Sequence, residues 1–169
     1  MRFIIGVNAC GSLRDPALRV VGISNHTVRT SVTTRAVADT ARRIRPSVSV
    51  VTGGVNATFM GEELLKECPA IDYVLRGYAQ SGLRALLRRI TRSSAEPVPG
   101  MMERGPSNIL SHPMTGVAED EWHFPIPKGL GVDRYLNWSR VYSLLTQTGC
   151  TFSCNFCTSV MPGPYQNRE

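Results

Sequence analysis

The stretch Ser47-Val48-Ser49-Val50-Val51-Thr52-Gly53-Gly54 decides the fold of this 169-residue chain. Its apolar residues are the β-branched Val48, Val50 and Val51, which favour a strand. A pair of glycines ends the run, and such a pair marks a tight turn. We therefore predict a strand that ends in a tight turn.

Strand-like and helical segments alternate on both sides of this stretch. Residues 19–24 form an earlier apolar run and Tyr73-Val74-Leu75 a later one. Helical periodicity appears over residues 33–44, 62–68 and 83–90. Strands that alternate with helices predict an α/β fold with a Rossmann-like, doubly wound parallel sheet. Because ligands of such sheets bind at the carboxyl ends of the strands, we expect a site there. These ends are predicted at residues 24–27, 53–58 and 76–78.

The residues of the first predicted helix repeat with helical periodicity, so one face of this helix is expected to pack on the core. Pro46 is expected to end this helix, since proline cannot continue one. The periodicity predicts that the core-facing residues are Thr33, Val37, Thr40, Ala41 and Ile44.

The regular pattern stops near residue 91, where prolines and glycines begin to punctuate the sequence. We predict an α/β domain over residues 1–91, a Pro/Gly-rich linker over residues 92–140, and a further part over residues 141–169. Val141-Tyr142-Ser143-Leu144-Leu145 is predicted to be a strand that opens this last part.

Composition describes an ordinary globular protein with an excess of positive charge. The net charge is +6, and 42% of the residues are hydrophobic. No run approaches the ~20 apolar residues of a membrane span, and the N-terminus does not resemble a signal peptide. We expect a cytoplasmic protein. Its basic residues are dispersed, which favours solvated helix faces over a nucleic-acid site. The main basic groups are Arg42, Arg43 and Arg45, and Arg84, Arg88 and Arg89.

Three cysteines near the end of the chain, Cys150, Cys154 and Cys157, follow a C-x3-C-x2-C spacing. A structural zinc site uses four protein ligands. Three thiolates on a four-iron cluster instead leave one iron free to bind another group. Other interpretations remain: a zinc site, a disulfide, or accidental clustering of core cysteines. The fourth ligand of a zinc site would be Cys10, Cys68 or His123.

The cysteine spacing, with Phe156 just before the last cysteine, resembles the signature of the radical SAM enzymes. In that family, the free iron is chelated by S-adenosylmethionine. The resemblance implies a [4Fe-4S] cluster on Cys150, Cys154 and Cys157, next to Phe156. It also implies reductive cleavage of S-adenosylmethionine to a 5′-deoxyadenosyl radical, with electrons from a reducing partner such as flavodoxin or ferredoxin.

The upstream sequence resembles the cobalamin-binding domain that precedes the barrel in one large radical SAM subgroup. The resemblance lies in the order and spacing of four segments: 21–27, 51–58, 62–65 and 71–77. It implies an incomplete cobalamin-binding sheet, then a linker, then the first strand and cluster loop of a radical SAM (β/α) barrel. Cobalamin is an implied cofactor, and methyl transfer is one implied reaction.

Site residues follow from the same resemblance. Ser24 and Thr27 would hydrogen-bond the periphery of cobalamin, although helix capping or a turn is an equal alternative for both. Gly53 and Gly54 would allow close approach of the backbone, and Gly77 would end the third strand beside the cofactor.

A histidine in the same loop, His26, is a candidate cobalt ligand. The Asp-x-His-x-x-Gly motif of base-off cobalamin proteins is absent from this sequence. We therefore expect His26 to be a surface loop histidine.

The sequence also departs from the family pattern. Tyr78-Ala79-Gln80 stands where the family has acidic residues, and only nineteen residues precede Val20. A complete barrel needs on the order of 200 residues. We therefore expect a fragment of a radical SAM enzyme that is inactive alone. The alternatives are a non-enzymatic cobalamin-binding module and a basic zinc module that contacts nucleic acid.

Overall fold

The computed structural model describes residues 2–5, 12–116, 147–148, 150, 152, 154, 156–157 and 166–167. For residues 2–5, 12, 147–148 and 166–167 it describes the backbone alone. The chain divides into two compact units, Met1–Thr115 and Gly116–Glu169.

The first unit is built on a six-stranded sheet whose spatial order follows the chain order. The first four strands are parallel and the last two are antiparallel to their neighbours. The strands are β1 (Arg2–Ile5), β2 (Leu18–Ser24), β3 (Ser49–Gly53), β4 (Tyr73–Leu75), β5 (Met101–Arg104) and β6 (Ile109–Ser111).

Helices connect the parallel strands, as an α/β fold requires. A 3-10 turn over Ser12–Arg14 precedes β2. The α-helices are α1 (Val28–Ile44), α2 (Val55–Phe59), α3 (Gly61–Glu67) and α4 (Gln80–Arg92). In the second unit, β7 (Gln147–Thr148) and β8 (Gln166–Asn167) pair antiparallel.

The core consists of two apolar clusters, one on each face of the sheet. Val50 of β3 belongs to the cluster that includes residues of α1, α2 and α3. Val51 belongs to the other cluster, which includes Leu86 of α4. Successive side chains of a strand point to opposite faces. The adjacent valines of β3 are therefore buried on opposite faces of the sheet.

The predicted linker, residues 92–140, begins inside the first unit, so the boundary at residue 91 differs from the structure. Both β5 and β6 lie in this stretch and make the sheet mixed rather than wholly parallel. The side chain of Arg76 stabilises this Pro/Gly-rich segment. Its guanidinium donates to Ser111 Oγ at 2.8 Å and to the His112 carbonyl at 2.7 Å. The barrel start predicted from residue 141 lies largely outside the described residues.

The buried face of α1 overlaps the predicted one, since Ala41 is buried and Ile44 is partly buried against the first core cluster. Thr34, Ala38 and Ala41 are its buried residues, whereas Thr33 is exposed. Only Ala41 is common to the predicted and observed buried sets. Small side chains at these positions allow the helix to pack closely on the sheet.

Two arginines near the end of α1 have structural roles and are not simply solvated. Arg42 donates to both carboxylate oxygens of Asp72 at 2.6 Å, and Asp72 Oδ2 also accepts the Val50 N–H at 2.7 Å. Arg45 donates to the carbonyls of Asp15 and Pro16, each at 2.6 Å. These contacts tie α1 to the amino ends of β2, β3 and β4.

Within the part of the chain that the structure describes, no helix has both the length and the apolar character needed to cross a bilayer.

The ion pair at the amino end of the sheet yields a stability prediction. Asp72→Ala removes the charged partner of Arg42 and leaves the Val50 N–H without its acceptor, while Arg42 still donates to the carbonyls of Pro46, Val48 and Ala70. We expect it to lower the free energy of unfolding by about 1–2 kcal/mol, allowing for the partial exposure of the pair. Glu62→Ala is the matched control, since it removes a carboxylate that binds Lys66 on an exposed helix surface. Urea denaturation should show a clear loss for the first variant alone; equal losses would contradict this assignment.

Candidate ligand-binding cleft

An open cleft of about 390 Å³ lies at the carboxyl ends of β2, β3 and β4. This is where ligands bind in open α/β sheets. Every residue that lines it falls between Gly22 and Leu83, including the N-terminal turn of α4. The sequence placed the site at these strand ends, and the structure has a cleft there.

The cleft is polar at its mouth and mostly apolar at its floor. Ser24 and Gln80 are exposed lining residues, whereas Val51 and Leu75 are each only 3% exposed. Thr52 is also buried, but its hydroxyl donates to the Ile23 carbonyl at 3.0 Å. No lysine, arginine, aspartate or glutamate of the described chain lines this cleft. The cleft therefore suits an uncharged group.

Glycines bring the backbone to the cleft surface. Gly54 has φ +111°, and a Cβ added there would lie 2.7 Å from the Asn25 carbonyl oxygen. A Cβ on Gly53 would lie 3.2 Å from the Leu75 carbonyl oxygen. Gly77 has φ +67°, and its N–H donates to Thr58 Oγ1 at 2.9 Å. A side chain at Gly54 or Gly77 would strain the turns that form the cleft.

A buried asparagine, Asn25, joins the strand ends beneath the cleft. Its N–H donates to the Gly53 carbonyl at 2.7 Å. Its own carbonyl accepts the N–H groups of Asn56 at 3.1 Å and Ala57 at 3.3 Å. These bonds connect the end of β2 to the end of β3 and to the start of α2.

The side chain of Asn25 extends the same network to α1. Its Oδ1 accepts from Thr30 Oγ1 at 2.9 Å and from Asn56 Nδ2 at 3.1 Å. Ser31 Oγ accepts from Asn56 Nδ2 at 2.8 Å. Neither Asn25 nor Asn56 has a role that the sequence alone predicts. One available signal is that Asn25 directly follows the predicted strand end at Ser24 and that Asn56 lies two residues after Gly54.

Four of the five residues predicted to contact cobalamin lie at the cleft, and the fifth, Thr27, does not. Gly53, Gly54 and Gly77 line the cleft, and Ser24 lies at its mouth. Thr27 is not among the lining residues. It is the N-cap of α1: Thr27 Oγ1 accepts the Thr30 N–H at 3.3 Å, and Thr30 Oγ1 accepts the Thr27 N–H at 3.0 Å. Of the two roles considered for Thr27, the structure shows helix capping.

The histidine candidate, His26, is exposed and lines the mouth of the cleft. This position agrees with the surface loop histidine that the sequence favours.

Two of the three clustered cysteines, Cys150 and Cys154, are exposed free thiols, and Cys157 is half-exposed. The Cys157 N–H donates to the Cys154 carbonyl at 3.1 Å. Phe156 is 90% exposed. Among the described residues, no three histidine, cysteine or acidic side chains converge as a metal-ligand set. The donor chemistry fits a cluster, but the described geometry does not bring the sulfurs together, and the cluster stays a prediction.

Cys68, one suggested fourth ligand for zinc, is buried in the first core cluster. Burial raises the pKa of its thiol and disfavours the thiolate that binds metals. The other two suggestions, Cys10 and His123, lie outside the described residues.

Part of this chain is similar to a known domain family and to two curated proteins. Residues 11–87 match the family model of the B12 binding domain. The uncharacterized methyltransferase PH0819 of Pyrococcus horikoshii is 29% identical over 127 residues, covering 73% of this chain and 28% of that protein. The anaerobic magnesium-protoporphyrin IX monomethyl ester cyclase of Rubrivivax gelatinosus is 25% identical over 138 residues, covering 70% of this chain and 23% of that protein.

Solved structures agree on the fold. Two structures of the radical S-adenosylmethionine methyltransferase TsrM from Kitasatospora setae match with a TM-score of 0.70, at 18% and 17% identity. One was solved with tryptophan and an S-adenosylmethionine analog, the other with cobalamin and a [4Fe-4S] cluster. Each match covers 94% of this chain and 34% of the TsrM chain.

The chain thus spans about a quarter of the length of the curated relatives and about a third of the TsrM chain. The family model covers all the lining residues of the cleft, because they lie between Gly22 and Leu83. Residues 11–87 of this chain are thus similar to the B12 binding domain, and the chain shares its fold with the TsrM structures.

Proposed function

We propose that this chain is the cobalamin-binding part of a radical SAM methyltransferase and that it holds cobalamin at the cleft. The observation that carries the proposal is that the glycine-lined cleft at the strand ends lies entirely within the segment that matches the B12 binding domain. When bound, cobalamin would carry the methyl group that is transferred.

The residues of the cleft fit such a ligand. Gly53, Gly54 and Gly77 permit close approach to the backbone, and the lining carries no charged side chain. Ser24, His26 and Gln80 offer hydrogen-bonding groups at the mouth, where the amide side chains of a corrin would lie. Thr27 has no such role in this proposal, because its hydroxyl caps α1.

The network beneath the cleft would hold these groups in place before a ligand arrives. Asn25 and Asn56 link β2, β3, α1 and α2 through bonds of 2.7–3.1 Å. Such preorganisation reduces the entropy that binding must otherwise offset.

We assign Cys150, Cys154 and Cys157 to a [4Fe-4S] cluster that binds S-adenosylmethionine with the rest of the parent protein. The support is their spacing, the exposed thiols of Cys150 and Cys154, and the similarity in fold to the radical S-adenosylmethionine methyltransferase TsrM. When bound, the cluster would supply the electron that cleaves S-adenosylmethionine. A reducing partner such as flavodoxin or ferredoxin would deliver it.

Blocking the mouth of the cleft tests cobalamin binding. Ser24→Phe places a bulky ring at the end of β2, and we expect the Kd for hydroxocobalamin to rise at least tenfold, which is about 1.4 kcal/mol. Ser107→Phe is the control, since Ser107 is also exposed but lies between β5 and β6. Absorbance titration of the 169-residue chain measures both. Absence of binding by the unmodified chain, or equal affinity of all three proteins, would refute the proposed site.

The cluster assignment has its own test. After anaerobic reconstitution with iron and sulfide, we expect about four irons per chain, as one four-iron cluster requires. Simultaneous Cys150→Ala, Cys154→Ala and Cys157→Ala substitution should abolish iron binding, whereas Cys68→Ala should preserve it because Cys68 is buried elsewhere. Zinc in place of iron after anaerobic purification, or iron retained by the triple variant, would exclude this ligand set.

A further inference from the structure

We propose that two copies of this chain associate through the exposed face of α1, with the two α1 helices packed antiparallel. This association goes beyond the proposed cobalamin binding and does not depend on it. It rests on an exposed apolar patch and on two opposite charges whose spacing along α1 lets two copies pair.

The outer face of α1 carries large apolar side chains in contact with solvent. Val28 is 75% exposed and Val32 is 73% exposed. They lie four residues apart and are therefore neighbours on one face of the helix. The buried residues of α1, namely Thr34, Ala38 and Ala41, lie on the other side. The helix is thus apolar both towards the core and towards solvent.

The apolar surface continues from α1 to the junction of α2 and α3. A groove of about 240 Å³ lies between these helices, and Val28, Val32 and Met60 are among the residues that line it. Met60 and its neighbour Phe59 are both exposed. These four make up most of the seven large apolar side chains that are exposed in the described part of the chain. Apolar side chains concentrated in one area, unlike scattered ones, mark an interaction surface.

Two opposite charges lie on either side of the apolar residues along α1. Arg29 and Asp39 are exposed and ten residues apart. Val32 and Ala36 lie between them, and the spacing of three, four and three residues places all four on one stripe of the helix. Over the residues that the structure describes, neither charge forms an ion pair. Asp39 accepts only from Cys68 Sγ, at 3.9 Å.

This stripe is complementary to a second copy of itself. If two α1 helices cross antiparallel at the level of residue 34, Arg29 of each copy lies opposite Asp39 of the other. Val32 of each copy then lies opposite the small side chain of Ala36. Parallel helices would instead place equal charges side by side, and antiparallel helices also have favourably opposed macrodipoles. The charges therefore specify both the partner and its direction.

An anionic surface, such as a nucleic acid or a layer of phospholipid headgroups, does not suit the same patch. Glu63 and Glu67 line the groove, and Asp39 ends the stripe. Carboxylates repel an anionic surface, whereas a second copy brings an arginine to Asp39.

Sedimentation equilibrium of the 169-residue chain across the micromolar concentration range tests the association. Because each copy contributes little more than one helix of 17 residues, the interface is small, and we expect a reversible dimer with a micromolar Kd. Arg29→Asp places two carboxylates together, and Asp39→Arg places two guanidinium groups together. Each substitution should raise the Kd of the dimer roughly tenfold or more. The double variant exchanges the two charges, so its Kd should return to within about threefold of the original value.

Matched controls separate this interface from general effects of charge. Arg92→Asp reverses an exposed arginine on α4, which packs on the opposite face of the sheet, and should leave the Kd unchanged. Val32→Lys should weaken the dimer roughly tenfold or more, since it places a charge in the apolar centre of the interface. Leu110→Lys changes an exposed apolar residue of β6 and should not weaken it.

Urea unfolding of every variant verifies that it is folded. A monomer at every concentration would overturn the proposal, and so would a dimer whose Kd is insensitive to Arg29→Asp and Val32→Lys. A double variant that associates no better than either single variant would contradict the antiparallel pairing of Arg29 with Asp39.

Discussion

The buried amide of Asn25 is the interaction on which the ligand end of the domain depends. Its backbone groups bind Gly53, Asn56 and Ala57, and its side chain accepts from Thr30 and Asn56. Because Asn25 is fully buried, water cannot replace any of these partners. One residue thus determines where β2 leads into α1 and where β3 leads into α2, and the cleft lies between those turns.

The two ends of the sheet are held by different chemistry. At the amino end, Arg42 and Asp72 form an ion pair that also binds the β3 backbone. At the carboxyl ends of β2 and β3, neutral amides and hydroxyls make the connections. A charge beside an apolar cleft would lose its hydration when a ligand covers it, and that loss is costly. Neutral hydrogen bonds fix the turns without this penalty, so the cleft can be both rigid and uncharged.

Local signals in the sequence were sufficient for part of this structure. The apolar runs predicted β2, β3 and β4, and the glycines marked the turns that line the cleft. Both β5 and β6 were missed because they are short strands within a Pro/Gly-rich stretch, and their order depends on Arg76, which is 35 residues from Ser111. The Asn25–Asn56 pair was missed for the same reason, since its members are 31 residues apart.

The cleft and the cysteine loop therefore differ in what a cofactor must contribute. The glycines and the Asn25 network shape the cleft through packing and hydrogen bonds that exist without a ligand. Cys150 and Cys154 are exposed, and no ligand set converges among the described residues. When the protein has no preformed metal site, the energy of metal binding also orders the ligands. Cobalamin affinity should thus be a property of the folded domain, whereas the arrangement of the three thiolates should depend on the cluster.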